Sequence, residues 1–434
     1  MWAKLVLFGV TAIAACTAAA SGDQASSSWL SGREQSPIRW TPLVEPPRLS
    51  PLQRLWTQFT IRPDAQEIAR RGGQGQFVAE IEVRDVSGRR YRIQQELNAA
   101  SGWKCSALAF LLPGTYRVSL ALAEPSSGKY SLKRRTLKVA ALHGDPLPEA
   151  WRDLPAVEFA SVPGAPDRWF LPAISSRPAL PLANRHAVRI EIIANTSITE
   201  QTRAPEQVYE TAMSTMGPLL KVVTGVAPRD GLVNVTCLDV WRQRVTFEQR
   251  AVHSLDWPRL RQAMIESDPG RIDAQALHRE NQSSSFFADQ IAQLLAAPGV
   301  RVAIVLSAPV VFREKQVLHP LPLQPGPNLR LFYIRLRNIL MMAPSVPMGT
   351  VPMGTAAVRA QRQEMEMPGA PLGAPPPIVD PGAASQVPVT AQVMGDQLAQ
   401  ALNSLQPRVF DATSPGEVRK ALAAIIHEIE QMTR

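Results

Sequence analysis

The chain has 434 residues, of which 45% are hydrophobic and 19% charged, so it can bury two or three compact cores. Its formal net charge of +9 comes from scattered basic residues, and aromatic residues make up only 6%. This balance suits an anionic surface polymer or a membrane face, or a merely solvated basic surface. Without a basic stripe interleaved with stacking residues, it excludes nucleic acid.

Lys4 precedes an apolar run that opens with Leu5-Val6-Leu7-Phe8 and reaches Ala15. The pattern over residues 1–20 is that of an export signal. Ala18-Ala19-Ala20 suits signal peptidase, whereas Ile13-Ala14-Ala15-Cys16 resembles a bacterial lipobox, with Cys16 as the lipidated residue and membrane tether. Lipoprotein and free secretion both stay open. The run is shorter than the ~20 residues a membrane span needs. The expected location is therefore secreted, periplasmic or in the cell envelope.

Residues 21–50 are rich in Ser and Pro and read as a flexible linker. Alternating strands fill residues 51–142: Phe77–Val83, Tyr91–Leu97, Trp103–Phe110, Tyr116–Ala123 and Tyr130–Val139, with Ser87-Gly88, Pro113-Gly114 and Ser126-Ser127-Gly128 as turns. Short strands at this spacing predict a β-sandwich. The segment Leu112-Pro113-Gly114-Thr115-Tyr116 is similar to the tyrosine corner of immunoglobulin-like and fibronectin-like sandwiches. The resemblance implies a structural phenol at Tyr116, tied to the neighbouring connection. Residues 143–185 are again Pro-rich and read as a linker packed along the surface.

From residue 186 the pattern alternates strand and helix. Val188–Ile193 is a buried-type strand. A helix follows from Pro205, with Val208, Ala212, Met216, Leu219 and Val223 on one face. Leu232–Leu238 is the second strand, and Arg244–Glu248 returns beside it as a hairpin edge. Helices fit 257–266 and 285–297, and strands fit Val300–Leu306 and Leu331–Ile334. Residues 341–392, with the duplication Val346-Pro347-Met348-Gly349-Thr350 and Val351-Pro352-Met353-Gly354-Thr355, read as a disordered insertion. A helix around Leu398–Leu405, a strand at Arg408-Val409-Phe410 and a final helix complete the chain. Ser414-Pro415-Gly416-Glu417 starts that helix as N-cap, first-turn Pro and capping box.

This order of elements, with an antiparallel edge hairpin after the second strand, resembles the von Willebrand factor type A domain and the exported acidobacterial-type proteins related to it. Asp230-Gly231-Leu232-Val233-Asn234-Val235, running on to Asp239, and Pro407-Arg408-Val409-Phe410-Asp411 carry the likeness. The expected fold class is α/β plus all-β: an immunoglobulin-like sandwich, then a doubly wound, mostly parallel sheet over 186–434. The resemblance implies a cation site at the strand ends, made of Asp-x-Ser-x-Ser, a loop Thr and an Asp after the central strand. Mg²⁺ wants oxygen ligands with enough charge to offset its dehydration. Here the first motif falls on Asn195-Thr196-Ser197-Ile198-Thr199, the loop on Asp268-Pro269-Gly270-Arg271, and the last Asp position on Ser307-Ala308-Pro309. An amide replaces the first acid, an Arg enters the loop and a Ser replaces the last acid; Asn195 also reads as an N-cap or turn residue at the strand-to-helix crossover. The expectation is a strand-end face that binds through Asn195, Ser197, Thr199 and Ser307, with no metal and no cofactor.

Enzyme signals are weak. There is no G-x-S-x-G elbow, the histidines (143, 186, 253, 278, 319 and 427) have no H-E-x-x-H spacing, and Gly72-Gly73-Gln74-Gly75 follows no strand. Besides Cys16 the chain has Cys105 and Cys237, read as two buried thiols or one bridge. The expectation is a non-enzymatic binding or adhesion protein whose partner is a protein or an anionic surface polymer. The alternatives are an envelope hydrolase assembled only in the fold, and a structural lipoprotein.

Overall fold

Alternation of inward apolar and outward polar residues builds the first half of the molecule. A computed structural model describes residues 27–70, 76–99, 101–160, 174–197, 205–267, 283–296, 298–310, 326–337 and 396–433. The export signal with Cys16, the glycines at 72–75 and the 341–392 insertion lie outside the described residues.

The first half contains helix α1 (Ser27–Ser31), strands β1 (Trp40–Val44), β2 (Arg48–Leu49) and β3 (Leu55–Pro63), helix α2 (Ala65–Ala69), and strands β4 (Phe77–Arg84), β5 (Arg90–Leu97), β6 (Cys105–Leu111), β7 (Gly114–Glu124), β8 (Lys129–Val139) and β9 (Val157–Phe159). One antiparallel sheet runs β1-β3-β6-β9 with β2 beside β3, and the other runs β5-β4-β7-β8. Phe59 and Ile61 of β3, Ala107 and Ala109 of β6, and Phe77, Ala79, Ile81 and Val83 of β4 bury in one shared cluster. Each large side chain there contributes about 1.5–3 kcal/mol. The residues between them on β4, namely Glu80, Glu82 and Arg84, belong to the outer face. On that face Leu30 of α1 packs against Ala121 and Leu132.

Tyr116 is buried, and its hydroxyl donates to the carbonyls of Leu112 (2.8 Å) and Ala156 (3.1 Å). It ties its own turn to the connection that leads into β9. Burial pushes the phenol up to about 12, so it remains a donor throughout the physiological range.

Two expected linkers are built into the structure. The stretch 21–50 contributes β1 and β2 to the first sheet. The stretch 143–185 contributes β9, which pairs with β6, and β10 (Leu180–Leu182), which pairs with β12 (Val226–Pro228). Proline was the misleading signal: Pro42 sits within β1 and Pro181 within β10.

In the second half β11 (Val188–Asn195), β13 (Gly231–Asp239), β14 (Arg244–Gln249), β15 (Val300–Ser307), β16 (Leu329–Leu336) and β17 (Arg408–Ala412) form a six-stranded sheet in the order β14-β13-β11-β15-β16-β17. Every neighbouring pair is parallel except β13–β14. Central strands buried on both faces read as continuous apolar runs, which is how β11 and β15 read. Helices α3 (Pro205–Val223), α4 (Trp257–Glu266), α5 (Ser283–Leu295), α6 (Gln397–Leu402) and α7 (Pro415–Met432) cover the sheet. Ile190, Ile192 and Ala194 of β11 bury with Leu219 and Val223 of α3 and Leu422 and Ile425 of α7. Ile193, on the opposite face, buries with Phe287 and Ile291 of α5 and Leu398 of α6. The molecule is thus mixed α and β, mostly β.

Gly231 opens β13 at φ +138°, and a Cβ there would lie 1.9 Å from the Val188 carbonyl oxygen, so only glycine lets β13 start against β11. At the start of α7 the Ser414 hydroxyl accepts from the Glu417 N–H (3.3 Å), while Glu417 Oε2 accepts from the Thr413 N–H (2.5 Å), one residue before the cap.

Buried Arg419 joins the halves. Its guanidinium donates twice to Asp145 (2.5 and 2.8 Å), once to the Leu147 carbonyl (2.6 Å), and lies 4.5 Å from the Trp151 ring centroid. The Trp151 indole donates to the Gln53 carbonyl (2.6 Å), and Gln53 Nε2 donates to the Pro415 carbonyl (2.9 Å). Cys105 and Cys237 are free and buried in different sheets. Burial pushes both thiols up to about 12.

Candidate functional site

Parallel register places the carboxyl ends of four strands side by side. Asn195 of β11 is level with Leu238 of β13, Ala194 with Leu306 of β15, and Ser307 with Arg335 of β16. Open sheets of this kind form their crevices at such ends.

Asn195, Ser197 and Ser307 do come together, and they bond to one another or to their neighbours. Asn195 is buried; its Nδ2 donates to Ser307 Oγ (3.0 Å) and its Oδ1 accepts from the Ser197 N–H (3.0 Å). Ser307 Oγ donates a hydrogen bond to the Ala308 carbonyl (2.6 Å). Ser197 Oγ donates to Asp239 Oδ1 (3.3 Å) and accepts from the Trp241 N–H (3.1 Å). Thr196, also buried, bonds the Leu238 carbonyl through both N–H (2.8 Å) and Oγ1 (3.1 Å). Thr199 and the loop at 268–271 lie outside the described residues.

Two carboxylates flank this chain of bonds. Asp239 is buried at the end of β13. It accepts from the Arg242 N–H (3.2 Å), and its Oδ2 lies 3.3 Å from the Arg242 guanidinium and 3.6 Å from Arg244 Nε. Both arginines also donate to the last carbonyls of α4, at Ser267 (2.6 Å) and Glu266 (3.0 Å), where the helix dipole favours cations. Asp396 caps α6, accepting from Val310 N–H (3.3 Å) and Ala399 N–H (3.4 Å), and faces Arg335 at 3.4 Å. Arg335 in turn makes a bidentate pair with Asp411 (2.6 and 2.8 Å). The hydrogen bonds from Arg335 hold the Asp411 carboxyl below its ordinary range, and those to Asp411 raise the arginine.

Tyr333 of β16 is fully buried nearby. Burial, reinforced by the Asp396 carboxylate, pushes its phenol upward and keeps it protonated. Its hydroxyl makes no hydrogen bond of good geometry among the described residues.

Sequence reasoning placed Asn195, Ser197 and Ser307 at this edge. It missed Asp239, Arg242, Arg244, Asp396 and Arg335, which carry its charge. The available signal was an acid at the end of an apolar strand, Asp239, followed three and five residues later by arginines. Among the described residues no three His, Cys, Asp or Glu side chains gather to hold a metal ion. No protein-family model matches the chain, and no curated protein matches it.

Proposed function

We propose that this chain is an exported binding protein: an immunoglobulin-like sandwich followed by a von Willebrand factor type A-like unit, engaging a protein or an anionic surface polymer without metal or catalysis. The sheet order β14-β13-β11-β15-β16-β17, with its single antiparallel edge strand, supports the type A likeness. The observation that carries the functional reading is the closure of the strand-end network. Asn195 supplies an amide in place of an acid, Ser197 and Ser307 have their protons engaged, and Asp239 is already matched by two arginines.

A divalent cation needs carboxylate charge to offset its dehydration, and here it would have to displace guanidinium groups to reach it. Isothermal titration with Mg²⁺, Mn²⁺ and Ca²⁺ tests this. The expected result is no binding at millimolar metal. Micromolar binding that disappears in Ser197→Ala would overturn the reading. The leader over 1–20 is read as directing the chain to the envelope or beyond. If Cys16 is a lipid tether, Cys16→Ala releases the protein from the membrane fraction; unchanged fractionation rejects the tether.

A further inference from the structure

The outer face of the β5-β4-β7-β8 sheet carries an unusual row of charge. Register sets Arg84 of β4 directly opposite Arg90 of β5 on one side and Arg117 of β7 on the other. Like charges directly opposite on neighbouring strands repel, so the arrangement is destabilising unless an anion offsets it.

The next row offers limited relief. Glu82 pairs with Arg84 (3.1 Å) and Arg92 (2.8 Å), so its charge is already matched. Arg134 is committed to the carbonyls of Leu30 (3.0 Å) and Gly32 (2.8 Å), which pins the N-terminal segment as a wall. Arg90, Arg117 and Arg135 are exposed and have no acidic partner among the described residues. Glu80, pushed up to about 7 by burial, adds little negative charge below neutral pH.

Between the wall and the arginines lies a cavity of about 460 Å³, lined by Glu82, Arg84, Arg117, Ser119, Arg135 and Thr136 among others. That size falls in the range of about 300–1,000 Å³ typical of ligand sites. Its lining offers guanidinium and hydroxyl donors and no aromatic ring. Bases stack on aromatic rings, so the lining favours a hydroxyl-rich anionic chain over single-stranded nucleic acid.

We infer that this arginine-lined cavity on the sandwich is a binding site for an anionic polysaccharide, whose carboxylate or sulfate groups lie across the row Arg90-Arg84-Arg117. Neighbouring strands are about 4.8 Å apart, so the row presents cations at about that repeat to an extended polyanion. The inference rests on the binding reading above and deepens it by naming the ligand class and its place.

The test is fluorescence anisotropy of the full-length mature protein with labelled polygalacturonate and labelled dextran sulfate, with neutral dextran and single-stranded DNA in parallel. Arg90→Ala, Arg117→Ala and Arg135→Ala are combined, leaving the Glu82 pairs intact. Arg62→Ala, Arg152→Ala and Arg330→Ala, which remove the same charge elsewhere, serve as the control. The expected result is polyanion binding that weakens at least tenfold in the first variant and less than threefold in the second. Its salt dependence should become shallower, while its melting temperature does not fall.

Polyanion binding that is equal in wild type and the first variant, or lost equally in both variants, overturns the site but leaves the anionic-polymer reading standing. Absence of polyanion binding at low salt overturns both. Tighter binding of single-stranded DNA than of either polysaccharide overturns the assigned ligand class.

Discussion

Two polar regions of this molecule sit on sheets and treat charge in opposite ways. At the carboxyl ends of β11, β13, β15 and β16, Asp239 and Asp396 are each matched by arginines, and the hydroxyls of Ser197 and Ser307 donate to neighbours. Across β5, β4 and β7, Arg90, Arg84 and Arg117 stand side by side, and only Arg84 has an acidic partner among the described residues. The first arrangement is self-contained: it stabilises the fold and leaves little for a ligand. The second is incomplete, and an anion from outside lowers its energy. In this protein the edge where such a sheet ordinarily places its crevice is therefore the closed one, and the open one lies on the sandwich.

Four substitutions break or sharpen that contrast. The largest effect belongs to Asp239→Ala, which leaves Arg242 and Arg244 without their buried counter-ion. We expect a loss of about 3 kcal/mol in urea unfolding, and a loss below about 0.5 kcal/mol would mean that the strand-end network is not closed.

Asn195→Asp ranks next. It removes the donor to Ser307 and buries a carboxylate, with an expected cost of about 2 kcal/mol that Mg²⁺ does not restore. Recovery of stability in Mg²⁺ would reveal a latent cation site.

The third substitution, Glu80→Gln, reads the sandwich face through pH. Burial is the main cause that raises Glu80, the Glu82 carboxylate adds to it, and Arg92 opposes it. The folded protein holds this proton up to about pH 7, whereas the unfolded chain releases it in the ordinary carboxylate range. Its contribution to stability is therefore complete at low pH and is lost as pH rises through about 7. The variant should match wild type near pH 4 and exceed it by about 1 kcal/mol at pH 8. A variant less stable than wild type at pH 8 would show that the charged form is the stabilising one.

The smallest effect is that of Arg117→Ala on stability. Removing one of three facing cations should change unfolding by no more than about 0.5 kcal/mol, in the stabilising direction. A clear destabilisation would mean that Arg117 has a structural partner.

How far the sequence was legible follows the same division. The alternating strands β4 to β8 and the order of elements from β11 onward, apart from the three-residue β12, were readable because apolar periodicity marks them directly. Strand β3 was not. It buries Thr57 and Gln58, whose side chains bond the Glu45 carbonyl (2.5 Å) and Ser106 Oγ (2.7 Å), so polar residues interrupt its apolar pattern. The short strands β1, β9 and β10 have too few residues to show a period, and the prolines within β1 and β10 point toward linkers.

At the strand ends, Asn195 and Ser307 could be placed only through the resemblance, whose motif positions fall where two apolar runs end. The ion pairs around Asp239 and Asp396 depend on chain segments that meet only in the fold. The arginine row was hidden for the same reason. Arg84, Arg90 and Arg117 look scattered along the chain, and only the antiparallel register aligns them.

Hydrogen–deuterium exchange of the mature protein, with and without saturating polygalacturonate, tests the contrast most directly. We predict protection confined to peptides covering residues 84–92, 114–120 and 132–136, with peptides around 195–197, 239–244 and 305–308 unchanged. Protection at the strand ends with none along the arginine row would contradict the account.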